Sequence, residues 1–550
     1  MDVDGHEGRR TGGQLLVDSL IAQGVSTVFG IPGVQLDAAT DALHDVADRI
    51  RFVGARNEQA TTYMADGYAR STGGVGVAMV VPGPGVLNAL AGLATAYATS
   101  SRVLLLAGQV GTGAIGRGWG ALHELPDQSG ILARLTKWSA LARSADEVGE
   151  LVEEAFRQLR SGRPRPVALE LPPDVLAAWT SASPAGLVPD SPVAPAAAEV
   201  AALAVLLDRA RRPVLYAGGG VPAAGGGAAL TALAERLHAP VVVSENGRGA
   251  IDARHALAFD PVALRALRRD ADLVLAVGTR SMTTFGQPLD VGGADLALLN
   301  VEVADLAAPR TPAVAVRSDA RLGLESLVRT VGARRTWADD ELAAAGGWVD
   351  AQLADIAPQR GWLAAIRSAL PDDGVLVSEL TQVGYAAGVC FPTYHQRGYL
   401  GAGYQGTLGF GFATALGVQA ADPARAVVSL NGDGGFSWTL PELSTARRHG
   451  LPLVAVVFED GHFGNVRRIQ KNSYGGRYFA SDLTNPDYGR LADAFGVASA
   501  TAHDPEELGA LLPGLLAARE PVLVHVPVGE MPSPWHLIHE GLPRPVVAEA

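Results

Sequence analysis

Two short acidic clusters in the last third of the chain are spaced so that they could share a cation. ARAVVSLNGDG (424–434) reads as a buried strand that ends at Gly432 and runs straight into Asp433, Gly434 and Gly435. LPLVAVVFEDG (451–461) reads as a second buried strand, ending at Phe458 and followed by Glu459 and Asp460. Between them, Thr439 and Glu442 have the Thr-x-x-Glu spacing of a capping box, which predicts a helix start there and a stop at Gly450. A strand–helix–strand crossover makes the two strands parallel, so their carboxyl ends share one edge of the sheet. Open α/β sheets bind ligands at that edge. Two convergent carboxylates suit Mg²⁺, which takes one or two of them and leaves its other positions to phosphate and water. Gly434 and Gly435 let the backbone come close to a phosphate, and GHFGNVRRI (461–469) predicts a helix whose free N–H groups face an anion. A lone Gly-Asp-Gly would be only a turn. The ordered strand, helix and second acidic strand end point instead to a Mg²⁺–diphosphate site.

The elements that must position these residues recur along the chain. Short apolar runs alternate with helix-like segments in three series: IRFVGAR, VGVAMVVPG and RVLLLAG; RPVLYAGGG, APVVVSENG and ADLVLAVG; GVLVSEL, ARAVVSLNGDG and LPLVAVVFEDG. Such alternation implies parallel sheets covered on both faces. The expected fold is therefore α/β, with three doubly wound parallel-sheet domains near residues 11–175, 196–335 and 358–530. A Pro-, Ala- and Ser-rich stretch at 176–200 is the first expected linker, and 333–358 holds the second seam. A chain of 550 residues suits several domains at ~150 residues each.

Composition excludes other classes. The net charge is −13 and no long basic patch is present, so neither nucleic acid nor an anionic membrane is an expected partner. No apolar run reaches the ~18 residues of a membrane span. The start, MDVDGHEGRR, has no apolar core and does not read as a signal peptide. A single cysteine, Cys390, cannot form an internal disulfide, which fits a reducing cytoplasm, and it reads as a small buried hydrophobe rather than a nucleophile.

The acidic motif resembles that of thiamine-diphosphate (ThDP) enzymes: GDG, a helix, then a short polar pair at the next strand end, usually Asn-Asn. Four further segments strengthen the resemblance: FGIPG (29–33), ARNEQATTYMADGYAR (55–70), PGPGVLNALAGLAT (82–95) and GYQGTLGFGFATALG (403–417). Together they span nearly the whole chain and are most similar to the acetolactate synthase branch. Its three domains are pyrimidine-binding, central Rossmann-like and diphosphate-binding. The resemblance implies ThDP and Mg²⁺ as cofactors. It puts Glu58 against N1′ of the aminopyrimidine, where it promotes the imino tautomer; an ion pair with Arg56 or Arg70 is its alternative role. Leu408 lies under the bend of the cofactor, and the Gly406 carbonyl meets the 4′-amino group. Asp433, Asp460 and the His462 carbonyl hold the metal. Thr381, Gln382, Val383, Gly432, Gly434, Gly435, Phe463 and Gly464 complete the cofactor contacts. It also implies a homodimer or homotetramer whose active sites are shared between subunits.

The departures matter for the reaction. Glu459-Asp460 replaces Asn-Asn, and Gly435 replaces a frequent Ser. In GRGWGALHELPDQ (116–128), His123 stands where acetolactate synthases carry a glutamine, and it is a candidate proton shuttle or only a hydrogen-bonding neighbour. Ile469 takes the place of a Trp that shapes the acceptor pocket. Arg280 matches the arginine of the family's Gly-x-Arg-Phe segment, but Ser281-Met282-Thr283 stands in place of Phe-Asp-Asp and the preceding flavin-contacting region is short, which argues against bound FAD. GGGVPA (218–223), with Glu245 about 20 residues further on, is a weak dinucleotide fingerprint. The C-terminal SPWHLI (533–538) is a candidate lid. The expected function is decarboxylation of a pyruvate-like 2-oxo acid with transfer of the acyl unit to a second carbonyl, a transferase or lyase reaction. Simple 2-oxo acid decarboxylation and a non-catalytic paralogue are the rivals, together with a flavin- or nicotinamide-dependent oxidoreductase.

Overall fold

Three six-stranded sheets, all parallel, organise the chain in the computed structural model, which describes residues 8–539. Residues 1–7, most of the MDVDGHEGRR segment, lie outside the described residues. In the first sheet the strands run Arg51–Gly54, Thr27–Gly30, Gly76–Val80, Val103–Gly108, Val167–Leu171, Trp138–Leu141 across the sheet. The last sheet repeats the same winding with Tyr399–Gly401, Val375–Ser378, Val427–Gly432, Val454–Glu459, Val522–Pro527 and Ala498–Thr501. In both, the chain starts inside the sheet, steps outward once, and then crosses to the other side. That reversal leaves a crevice at the carboxyl ends of the first and third strands. In the last sheet, those strands are Val375–Ser378 and Val427–Gly432, which run directly into Thr381 and Asp433.

The middle sheet is wound differently: Ala258–Phe259, Val241–Val243, Pro213–Ala217, Leu273–Val277, Asp295–Asn300, Val314–Arg317. This is the strand order of dinucleotide-binding folds. The α/β architecture expected from the sequence is thus the one observed. Strands such as Val77–Val80, Leu104–Ala107 and Val454–Val457 are almost fully buried, which is why they read as continuous apolar runs.

The chain forms two compact units. One contains the residues up to Pro192 together with Gly403–Pro423 and Thr439–Leu451; the other contains Val193–Ala402, Ala424–Trp438 and the chain from Pro452 onward. The passage at Pro192 falls in the stretch read as a linker, where residues 181–196 carry no helix or named strand. In the first unit, helix Glu58–Thr72 and helix Phe410–Ala421 pack backbone to backbone: a Cβ on Gly67 would lie 2.1 Å from the Thr414 carbonyl oxygen, and one on Gly417 would lie 1.9 Å from that of Met64. No helix among the described residues is long and apolar enough to cross a membrane.

One local expectation is corrected. Thr439 does not cap a helix through a box with Glu442; a helix already runs from Asp433 to Thr439, and the next begins at Leu443. The Glu442 carboxylate is taken instead by the backbone N–H groups of Arg56 and Asn57 and by the Thr445 hydroxyl. A fully buried carboxylate needs such donors, and three of them outweigh one local cap.

Candidate active site

The acidic motif is built at the carboxyl edge of the last sheet. Strands Val427–Gly432 and Val454–Glu459 pair in parallel, with Gly432 opposite Phe458. Asp433 and Asp460 therefore leave neighbouring strands at one level. Asp433 Oδ2 accepts from Gly461 N at 2.9 Å and from Asn485 Nδ2 at 2.7 Å, while its Oδ1 accepts from Gly434 N at 2.9 Å. Asp460 Oδ1 accepts from His462 N at 3.0 Å, and Oδ2 accepts from Gln382 Nε2 at 2.7 Å. Burial pushes the Asp433 carboxyl above the usual carboxylate range, against the pull of its three N–H partners. Burial raises Asp460 as well, and the charge of Asp433 adds to it. Two neighbouring acids, one buried and one half-buried, whose charges disfavour each other would be stabilised by a divalent cation between them.

The donor set fits Mg²⁺ with a diphosphate. Among the described residues no cluster of three or more His, Cys, Asp or Glu side chains is placed to hold a metal. Mg²⁺ needs no such cage, because one or two carboxylates suffice when phosphate and water fill the remainder. The His462 ring is engaged by the Asp460 carbonyl and faces Asp482 at 3.4 Å, so the backbone carbonyl is what His462 has to offer a cation. Helix Gly464–Ser473 starts immediately behind the motif, as expected. A Cβ on Gly464 would lie 2.6 Å from Asp460 Oδ2, so only glycine lets the carboxylate sit over that helix start. Gly435 has a similar reason: a Cβ there would fall 2.3 Å from the buried Glu379 carboxylate, which accounts for the missing serine.

Other predicted contacts divide by role. Thr381 caps helix Gln382–Cys390 by accepting from Gly384 N at 2.9 Å, and its methyl lies beside Gly432. The Gln382 amide is spent on Asp460, and its oxygen accepts from Met531 N and Arg468. The Val383 side chain is wholly buried in the core, so only its backbone can face a ligand. The Phe463 ring packs against Gly434, 2.9 Å from where a Cβ would stand. Ile469 is exposed on helix Gly464–Ser473. Trp535 of the C-terminal segment donates its indole N–H to Asn465 at 2.8 Å.

A second group lies in the first unit. Glu58 begins helix Glu58–Thr72, with Asn57 as its cap. Its carboxylate accepts from Asn88 Nδ2 at 3.0 Å. Arg70, one of the two arginines named from the sequence, bridges to Asp66. Gly85 lies beside Glu58, its Cβ position 3.6 Å from Oε1, and is crowded by Val81, whose Cγ2 would be 2.7 Å away. Two residues earlier, a Cβ on Gly83 (φ +61°) would fall 2.4 Å from the His123 carbonyl oxygen. His123 and Glu58 thus flank the start of helix Pro84–Thr99. His123 is itself in the left-handed region (φ +70°), and its Nδ1 lies 3.2 Å from Gln35 Oε1. The loop before helix Phe410–Ala421 is pinned by Thr407, which meets the Tyr63 hydroxyl at 2.7 Å and Thr95 at 3.2 Å. Gly406 takes a positive φ there, and Leu408 remains 36% exposed, an apolar side chain held open to a ligand.

Asn88, Asn485 and Gln35 were not singled out from the sequence, since an amide carries no signal without its partner. In the middle sheet, Gly218 and Gly220 serve packing: Cβ atoms there would collide with Gly278 at 2.4 and 2.7 Å. The glycines of the dinucleotide-like motif thus have a structural reason of their own.

Comparison with known proteins identifies the family. Residues 10–131 match the family model "Thiamine pyrophosphate enzyme, N-terminal TPP binding domain", residues 200–327 the central domain, and residues 380–526 the C-terminal TPP binding domain. The acetolactate synthase large subunit of Parasynechococcus marenigrum is 34% identical over 94% of this chain and 88% of the relative. The acetolactate synthase isozyme 3 large subunit of Escherichia coli is 32% identical over 90% of this chain and 91% of its own length. A Pseudomonas aeruginosa protein named "Probable 2-ketoarginine decarboxylase AruI" is 36% identical over 90% of each chain. The chain belongs to the thiamine pyrophosphate enzyme family, in its acetolactate synthase-like branch, and is a ThDP-dependent enzyme that makes or breaks carbon–carbon bonds.

Proposed function

We propose that this enzyme uses ThDP and Mg²⁺ to decarboxylate a pyruvate-like 2-oxo acid and pass the acyl unit to a second carbonyl, as an acetolactate synthase does. The observation that carries the metal half is the convergence of Asp433 and Asp460 at the crevice of the last sheet. Asp433, Asp460 and the His462 carbonyl hold Mg²⁺. Backbone around Gly432, Gly434, Gly435 and Thr381 lines the diphosphate, and the start of helix Gly464–Ser473, with Phe463 before it, faces the anion. Glu58 shares a proton with the aminopyrimidine, and Asn88 keeps its carboxylate aimed. Gly406 offers its carbonyl, and Leu408 supports the cofactor's bend. ThDP, when bound, supplies the electron sink that lets a 2-oxo acid lose CO₂. His123 moves a proton at the carbonyl that reacts. The domains run 11–175, 196–335 and 358–530, FAD is not a cofactor, and the enzyme works in the cytoplasm as a homodimer or homotetramer with sites completed between subunits.

A second reading, release of an aldehyde without condensation, has its own support. His123 replaces a glutamine, Ile469 replaces a tryptophan, and the Pseudomonas aeruginosa relative is named a decarboxylase. Product analysis separates the two. The purified protein is incubated with ThDP, Mg²⁺ and pyruvate or longer 2-oxo acids, and CO₂ and the carbon product are both quantified. A 2-hydroxy acid or 2-hydroxy ketone alongside CO₂ establishes the condensation; aldehyde alone establishes the second reading. No CO₂ from any acid refutes both.

A further inference from the structure

The replacement of the usual asparagine by Glu459 brings a third carboxylate beside the metal motif, and the structure shows what holds it. Glu459 ends strand Val454–Glu459. Its Oε2 lies 2.6 Å from His525 Nε2 on the adjacent strand Val522–Pro527. Its Oε1 accepts from Asn485 Nδ2 at 2.9 Å. The same nitrogen donates to Asp433 Oδ2 at 2.7 Å. One amide group, with two protons, thus sits between two carboxylates and satisfies both. The His525 ring is fixed in turn by Tyr488, whose ring centroid is 5.0 Å away.

The geometry around Asp433 leaves few acceptor positions open. An ionised carboxylate has about four. Gly434 N takes one on Oδ1, and Gly461 N and Asn485 Nδ2 take two on Oδ2. The remaining position is on Oδ1, and the carboxylate cannot rotate without losing a bond. We propose that Asn485 is a positioning residue for the metal ligand Asp433, and that Glu459 and His525 hold Asn485 in place, so that this side-chain chain sets the affinity for the divalent cation. The proposal rests on the reading of Asp433 as a metal ligand. Partners that orient a ligand typically contribute 10–100-fold to metal affinity.

The test uses the full-length protein with ThDP and Mn²⁺ as the probe, free and bound Mn²⁺ being measured by electron paramagnetic resonance. Asn485→Ala is expected to raise the Mn²⁺ Kd by about 10–100-fold, measured at a temperature well below the melting temperature of the metal-free variant. His525→Gln keeps a donor for Glu459 and is expected to bind as the parent does; His525→Leu removes it and is expected to bind more weakly. An Asn485→Ala protein that binds Mn²⁺ as tightly as the parent overturns the proposal. If that variant does not fold, the His525 pair decides, and indistinguishable Gln and Leu variants overturn it. Asp433→Ala separates the two levels. Its loss of Mn²⁺ binding keeps the metal assignment whatever Asn485 does, whereas unchanged binding removes the assignment and the proposal together.

Discussion

Asn57 donates its backbone N–H to Glu442 Oε1 at 3.0 Å, joining positions 385 residues apart, and the next residue in the chain is Glu58. The N–H of Arg56 binds the same carboxylate. The start of the helix that carries Glu58 is therefore held by an acid from the last third of the sequence. Burial raises the Glu442 pKa, and its hydrogen bonds only partly offset this.

The sign of the resulting pH dependence is fixed. A carboxyl with a raised folded pKa binds more protons in the folded state than in the unfolded one. Its contribution to stability is fully present below the ordinary value of 4.5 and is lost as pH rises through the folded value. Glu442→Gln keeps an oxygen acceptor for Arg56 and Asn57 but does not titrate. The stability of the parent minus that of the variant should fall between acidic and neutral pH, as read by urea denaturation. A difference independent of pH would show that Glu442 titrates normally.

Replacement of Asn88 should act on activity rather than on folding. Its amide is the hydrogen-bond donor to the Glu58 carboxylate. A hydrogen bond to a charged group contributes about 1.5–3 kcal/mol. Asn88→Ala should lower kcat by roughly tenfold or more and leave ThDP affinity little changed. Glu58→Gln should lose about 10²–10⁴-fold, the range of a positioned proton-transfer group. Steady-state kinetics with the best 2-oxo acid would expose the opposite ordering.

The contact between helices Glu58–Thr72 and Phe410–Ala421 leaves no room for a methyl group. Gly417→Ala would put a Cβ 1.9 Å from the Met64 carbonyl oxygen. Overpacking of this kind costs about 1–3 kcal/mol. We expect a lower unfolding midpoint in urea for Gly417→Ala and for Gly67→Ala, and a parent-like midpoint for Gly113→Ala, where nothing lies within 4 Å.

Metal removal and replacement of its ligands should act together on ThDP binding. Chelation should release ThDP, and Mg²⁺ should restore it. Asp460→Asn keeps an oxygen donor and should retain Mg²⁺-dependent ThDP binding, whereas Asp433→Ala should lose it. Equal loss in both variants, measured by equilibrium dialysis of ThDP, would contradict the view that an oxygen donor at position 460 is enough for the metal.

The sequence made the sheet edges legible because buried parallel strands are unbroken apolar runs, and the residues just after each run must lie at its carboxyl end. That logic reaches Asp433, Asp460 and the helix at Gly464. It does not reach Asn485, Asn88 or Glu442, whose partners lie 52, 30 and 385 residues away. The Thr439-x-x-Glu442 pattern misled for the same reason, since a local motif competes with distant N–H groups that a sequence window does not contain. The left-handed backbone of His123 carried no signal either, because the residue it packs beside, Gly83, lies 40 positions earlier in the chain.

The central claim of the proposed function is that Glu58 activates ThDP and that Asp433 and Asp460 hold the metal it needs, and it can be tested without knowing the substrate. The measurement is the rate at which the thiazolium C2 proton of ThDP exchanges with D₂O, followed by proton NMR after acid quench. With the parent protein and Mg²⁺, exchange should be far faster than for free ThDP, and it should fall to near the free rate in Glu58→Gln and in Asp433→Ala. Exchange that is no faster than in solution, or that is equally fast in Glu58→Gln, would contradict it.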